Sequence, residues 1–283
     1  MNIQSKILIS KYKNQMKTIF MTGTSTGLGK AAVKLFAAKG WKVIATMRNP
    51  QNETELNQLP NVHLMALDVT NAAQINEVAA EVIANHDINV VFNNAGYGLA
   101  GPFEAATDEQ ILNNINTNLI GVMRVTKAFI PYFRQKGNGL FITTTSIGGT
   151  ITMPLNSVYH AAKFGVEGWS ESLGYELEPF GIKVKTVAPG GIATDFAGCS
   201  LDVTQHDSYQ EVFEKVYSVF TNPERRSTYS SAEQIAEVVY EAATDGKQQV
   251  RYLAGEDAKG YFALRNSLSQ DDFREEVKKI FLN

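Results

Sequence analysis

The chain has 283 residues, with 26 lysines and arginines against 29 aspartates and glutamates, a formal net charge of -3. Hydrophobic residues make up 44% and charged residues 19%, a globular balance that argues against a disordered chain. The basic residues are scattered, so nothing points to nucleic acid or another polyanion as partner.

No apolar run is long enough for a membrane span. Residues 1–16 read as an N-terminal extension, with Met16 as a second candidate start. The stretch carries a short Ile7-Leu8-Ile9 cluster but no cleavage site, so a secretory signal is not expected. The sole cysteine, Cys199, allows no internal disulfide and fits a reducing, cytoplasmic compartment. Without export, the sequon at Asn52-Glu53-Thr54 is a chance match.

From Lys17 onward, short apolar runs alternate with helical patterns. Strands are expected at 17–22, 41–47, 62–67, 88–92, 140–145 and 183–188, with a last one at 249–253. Helices are expected at 30–39, 72–84, 108–136, 158–174, 232–243 and 270–282. This alternation predicts an α/β fold, a doubly wound parallel sheet of about seven strands in three α/β/α layers, within one domain over 17–283. Gly23, Asp68, Asn94, Ser146 and Pro189 all fall at carboxyl ends of strands, the edge where such sheets bind ligands.

Gly23, Gly27 and Gly29 sit between the first strand and its helix. Glycines there let backbone approach a pyrophosphate, with helix N–H groups facing its charge. Dinucleotide sites often carry an acid at the end of the second strand to hold ribose hydroxyls. Here that strand ends Thr46-Met47-Arg48, and an arginine suits a 2′-phosphate. The reading is NADP, with NAD second. Asp68 also reads as a helix N-cap and Asn94 as a turn residue.

Tyr159 and Lys163 stand one helical turn apart on one face. A phenol has an ordinary pKa of about 10, and a neighbouring ammonium lowers it. The pair can therefore transfer a proton, and Ser146 can hydrogen-bond the same substrate oxygen.

The ordered set Thr22-Gly23-x-x-x-Gly27-x-Gly29, Asn93-Asn94-Ala95-Gly96, Asn118-x-x-Gly121, Ser146, Tyr159-x-x-x-Lys163 and Pro189-Gly190-x-x-x-Thr194 resembles the short-chain dehydrogenase/reductase family, from Lys17 to about Leu253. The resemblance implies a Rossmann-type fold and a tetrad of Asn118, Ser146, Tyr159 and Lys163. It implies that Ser25, Thr26 and Leu28 join the glycines at the cofactor. Asp68 and Val69 would contact adenine, and Asn94, Ala95 and Gly96 would line the adenosine side. Lys163 would hold the nicotinamide ribose, with Pro189, Gly190, Ile192 and Thr194 beside the nicotinamide. Asn118 would position a water that links Lys163 to solvent. Thr26 departs from the family's NADP-preferring pattern, where a basic residue is common, leaving the phosphate mainly to Arg48.

Residues 194–226 break the alternation and read as an insertion over the site. Tyr209, Phe213, Tyr217 and Phe220 recur there near helical spacing, as core or as a substrate lid. Phe196, Tyr97, Met153 and Leu155 are candidate apolar walls. His160 and His206 read as ordinary polar residues. The expected substrate is a small apolar ketone or secondary alcohol, and the resemblance implies a homodimer or homotetramer. Two alternatives are a non-catalytic NADP-binding sensor and a nucleotide-sugar epimerase or dehydratase.

Overall fold

The computed structural model describes residues 16–193 and 200–283. The expectations for Thr194, Phe196, Cys199 and residues 1–15 lie outside the described residues. The strands are β1 (Thr18–Thr22), β2 (Lys42–Met47), β3 (Val62–Ala66), β4 (Ile88–Asn93), β5 (Gly98–Ala100), β6 (Gly139–Thr144), β7 (Ile182–Pro189), β8 (Leu201–Val203) and β9 (Arg251–Ala254). The helices are α1 (Gly27–Ala38), α2 (Ala72–Asn85), α3 (Asp108–Ile115), α4 (Val122–Lys136), α5 (Ser157–Leu177), α6 (Gln210–Thr221), α7 (Pro223–Ser227), α8 (Ala232–Thr244), α9 (Glu256–Ser267) and α10 (Gln270–Phe281).

Seven strands form one parallel sheet in the order β3-β2-β1-β4-β6-β7-β9. Side chains alternate across it, as strand geometry requires. Ile19 and Met21 face a layer built from Val33 and Phe36 of α1 and Ile235 and Val239 of α8. Phe20 faces the opposite layer, with Val78 and Val82 of α2, Phe129 and Phe133 of α4, and Leu173 and Leu177 of α5. Both faces are covered, so the strands read as near-continuous apolar runs. A third cluster, Ile147, Ile151, Ala258 and Phe273, fastens the segment after β6 to the C-terminal helices.

Three features differ from the sequence expectation. The helix expected over 108–136 is interrupted by a π-helical segment, Asn116–Gly121. β5 and β8 pair in parallel as a second, two-stranded sheet. α9 was not anticipated, because its apolar positions do not form a single stripe.

Candidate active site

A parallel sheet gathers the carboxyl ends of its strands along one edge, and here the order reverses between β1 and β4. The crevice at that reversal is held by short polar bonds. Thr22 Oγ1 accepts from the backbone N–H of Asn94 at 3.0 Å and of Ala95 at 3.1 Å. The Asn94 amide donates to Gly23 O at 2.9 Å, while its Oδ1 accepts from Thr144 Oγ1 at 3.0 Å. One asparagine thus ties together the ends of β1, β4 and β6. Gly23 has φ +67°, and a Cβ there would stand 2.5 Å from Ala95 Cα. At Gly29 a Cβ would run into Gly23 O. Glycine is therefore required at both positions by backbone contact.

Gly27, Leu28 and Gly29 open α1, and Ser25 and Thr26 before it are exposed. The Thr26 side chain makes no capping hydrogen bond, so the first-turn N–H groups are left for an anion. Arg48 is exposed after β2 and has no hydrogen bond or ion pair among the described residues. These features fit a dinucleotide: close backbone at the turn, free donors at the helix start and an uncommitted cation where ribose would lie.

Asp68 is half-buried after β3, and its Oδ1 accepts from Thr70 N at 2.9 Å and Thr70 Oγ1 at 2.7 Å. It does not cap α2; Asn71 does, accepting from Gln74 N. A residue three positions later competes better for the helix start, so the alternative N-cap reading of Asp68 falls. Val69 is buried, and Gly121 of the π segment packs so closely that a Cβ there would stand 2.9 Å from Val69 O.

Asn118 lies on the π segment and is fully buried. Its Oδ1 accepts from Tyr97 N at 3.0 Å and its Nδ2 donates to Tyr97 O at 2.8 Å, clamping the loop after Asn94. A Cβ on Gly96 would stand 2.5 Å from Asn118 Oδ1 and 3.8 Å from Lys163 Nζ, so these two groups meet at Gly96.

Ser146 follows β6 and opens a short helical turn, its Oγ accepting from Gly148 N at 3.0 Å. Tyr159 and Lys163 project from the start of α5. Burial pushes the Tyr159 phenol above its ordinary value, and a hydrogen bond with Ser146 works against that shift. The sequence expectation that Lys163 lowers this phenol is not what governs it. Desolvation dominates, and the ammonium donates instead to Thr144 O at 3.0 Å, with Nζ 5.7 Å from the phenol ring centroid. Lys163 is 6% exposed, and burial pushes its pKa down to about 8, opposed by the charge of Glu167.

Glu167 continues the Tyr159–Lys163 face by one more turn. It is buried, accepts from Arg251 Nε at 2.9 Å and from Thr186 Oγ1 at 3.3 Å, and its Oε1 has no protein partner among the described residues. Sequence reading missed it, although the four-residue spacing already used for Tyr159 and Lys163 leads to it. Thr144 was also missed, because a threonine at a strand end carries no motif of its own, and Thr22 was quoted only as the start of the glycine motif, without its hydrogen-bonding role.

After β7, Gly190 N donates to Ala254 O at 3.1 Å, Gly191 N donates to Asp257 Oδ2 at 2.7 Å, and Ile192 bridges to Ser230. Of the aromatic stripe, Phe213 and Tyr217 stack at 5.9 Å, with Tyr217 exposed, while Phe220 packs on Phe281 of α10 at 5.3 Å. Tyr209 lies edge-on to His206 at 5.8 Å. The stripe is thus part packing and part exposed surface. His206 accepts from Ser208 N at 3.2 Å in a short turn.

The short chain dehydrogenase family pattern matches residues 17–205. An uncharacterized oxidoreductase of Schizosaccharomyces pombe is 37% identical over 228 residues, covering 80% of this chain and 96% of that protein. A 3-ketodihydrosphingosine reductase of Bacteroides thetaiotaomicron is 34% identical, covering 76% of this chain and 80% of that one. The crystal structure of a short chain dehydrogenase from Burkholderia cenocepacia in complex with NADP superposes with a TM-score of 0.74 at 22% identity, over 95% of this chain and 98% of that one. With the doubly wound sheet, the glycine turn and the Ser146, Tyr159 and Lys163 cluster, these matches place the chain in the short-chain dehydrogenase/reductase family of oxidoreductases.

Proposed function

We propose that this oxidoreductase transfers a hydride between NADP and an apolar ketone or secondary alcohol. The observation that carries the reading is the meeting of Ser146, Tyr159 and Lys163 at the sheet edge that also holds the glycine turn. Nicotinamide, when bound, supplies or accepts the hydride. The chain's own groups manage the proton and the geometry. Burial keeps Tyr159 protonated near neutral pH, the form needed to donate to a substrate oxygen during reduction. Ser146 accepts from Gly148 N on one lone pair, and its hydroxyl hydrogen, beside Tyr159, can turn to that same oxygen. Lys163 has donors left beyond its bond to Thr144 O, and these would hold ribose hydroxyls. Asn118, next to Lys163 at Gly96, would position the water that links the ammonium to solvent.

Asp68, Val69, Asn94, Ala95 and Gly96 would bound the adenosine side, and Pro189, Gly190 and Ile192 the nicotinamide side. The free Arg48 supports NADP over NAD, as does the NADP held by the Burkholderia relative. Support for an apolar ketone comes from the 3-ketodihydrosphingosine named for the Bacteroides relative. Exposed Leu112 on α3 and Phe164 and Tyr175 on α5 support a homo-oligomer built on these helices. The single cysteine supports a cytoplasmic setting, and among the described residues no helix is long and apolar enough to cross a membrane.

NADPH oxidation against a panel of aliphatic, aromatic, steroid and long-chain amino ketones tests the reading. Turnover of at least one apolar ketone is expected. Tight NADPH binding with no turnover of any would instead make the chain a sensor. Arg48→Asp is expected to shift the NADP/NAD preference by about 10- to 100-fold, the scale of one charge-assisted phosphate contact. An unchanged ratio removes Arg48 from the phosphate site.

A further inference from the structure

His160 directly follows the tyrosine, and its imidazole is buried, 7% exposed. Nδ1 lies 2.7 Å from Gly148 O, and Nε2 accepts from Met153 N at 3.0 Å. These partners fix the tautomer. The proton sits on Nδ1 and is donated to Gly148 O, and Nε2 carries the accepting lone pair. Burial also pushes the imidazole pKa below its ordinary value, which keeps this neutral form.

The same glycine donates its own N–H to Ser146 Oγ. Gly148 is therefore held on its nitrogen side by Ser146 and on its oxygen side by His160. A Cβ at 148 would stand 3.0 Å from His160 Nδ1 and Cε1 and 3.3 Å from Ser146 Oγ, so a side chain there would push the two apart. Met153 leads into the loop of Leu155, whose φ of +61° is left-handed and whose carbonyl accepts from Gly101 N at 2.7 Å beside β5. The imidazole thus joins the helix bearing Tyr159 to two segments, the Ser146 turn and the 151–156 loop.

We propose that His160 is a positioning residue with two arms, one on Gly148 that sets the Ser146 hydroxyl against Tyr159 and one on Met153 that holds the 151–156 loop against the substrate. The proposal rests on the carbonyl chemistry proposed above. Ser146 Oγ turns about a single bond, and the Gly148 N–H helps to hold its direction toward Tyr159. A misplacement of about 1 Å at a reacting group costs roughly 100-fold in rate.

Two conservative variants separate the arms. An asparagine amide nitrogen falls near Nδ1, so His160→Asn keeps the Gly148 arm. A glutamine oxygen falls near Nε2, so His160→Gln keeps the Met153 arm. The assay is steady-state NADPH oxidation with the best-reduced ketone of the panel, and NADPH fluorescence titration reports folding and cofactor affinity. His160→Gln is expected to lower kcat about 10- to 100-fold with KM and NADPH affinity little changed. His160→Asn is expected to raise KM while kcat stays within about threefold. In a Ser146→Ala background, His160→Gln is expected to add no further loss of kcat. A loss that persists in that background, or equal loss of kcat and NADPH affinity in both variants, overturns the proposal. If the unmodified protein reduces no carbonyl, the functional reading fails and a crystal structure of His160→Gln decides the positioning claim alone. Displacement of Ser146 from Tyr159 supports it, and an unmoved Ser146 sinks it.

Discussion

Among the described residues two lysines are buried, each beside a tyrosine, and their surroundings differ in one respect. Lys185 of β7, 2% exposed, donates to Asp245 Oδ1 at 2.7 Å, Ala242 O at 2.9 Å and the Tyr252 hydroxyl at 2.9 Å. Tyr252 in turn donates to Asp245 Oδ2 at 2.6 Å. Burial would raise the Asp245 carboxyl, but the bonds from Lys185, Tyr252 and Lys247 N outweigh it and hold the pKa at about 2. Every proton of that ammonium has a partner. Lys163 donates only to Thr144 O among the described residues and has no carboxylate in contact. A buried cation closed by a carboxylate is architecture, here sealing the C-terminus of α8. A buried cation with no carboxylate in contact has donors it can offer a ligand.

Exchanging the tyrosines tests this contrast most severely. Tyr159→Phe is expected to lower turnover by about 1,000-fold or more, within the range for loss of a positioned proton donor, while NADPH still binds. Tyr252→Phe is expected to leave turnover of the folded enzyme unchanged and to cost about 1–3 kcal/mol of stability, from a broken buried network. Appreciable turnover in Tyr159→Phe, read by NADPH absorbance, would erase the distinction. The lysines come next. Lys185→Met leaves the half-buried Asp245 without its cation and is expected to cost about 2–3 kcal/mol in urea unfolding, the scale of a lost charged hydrogen bond. Lys163→Met strands no contacting carboxylate and is expected to cost less. Equal losses would mean that the open cation is as structural as the closed one.

The contrast also shows what a sequence discloses. The glycine turn, the strand–helix alternation and the Tyr159–Lys163 spacing are local patterns, and each was legible. The doubly wound parallel sheet followed from that alternation, but the strand order did not, because β4 lies beside β1 and not beside β3. Contacts between distant residues were not legible. Glu167 meets Arg251 across 84 positions, and Lys185 meets Asp245 across 60. β5 and β8 are three residues each and pair across about a hundred positions, too short to show a period. The π segment has no propensity signature, and it is set by Asn118 gripping the Tyr97 peptide and by Gly121 packing on Val69. His160 was legible as a residue and illegible in its role, because both its partners are backbone groups.

The finest distinction lies in pH. Lys163 titrates near 8 in the folded chain and near 10.4 when unfolded. Below pH 8 both states hold the proton, and the folded state carries the full cost of burying an ammonium. Between about pH 8 and 10.4 the folded chain releases its proton while the unfolded chain keeps it. The unfolded state then binds more protons, so this residue's contribution to stability rises with pH across that window, by about 3 kcal/mol in total. Other groups titrate there too, so the measurement is a difference. The stability of the unmodified protein minus that of Lys163→Met, from urea unfolding at steps between pH 7 and 10, is expected to climb. A flat difference would mean that Lys163 has a hidden partner like that of Lys185. NADP would fill the open donors and bring phosphate charge nearby, so saturating cofactor is expected to move the climb to higher pH, whereas an unmoved climb would separate Lys163 from the cofactor.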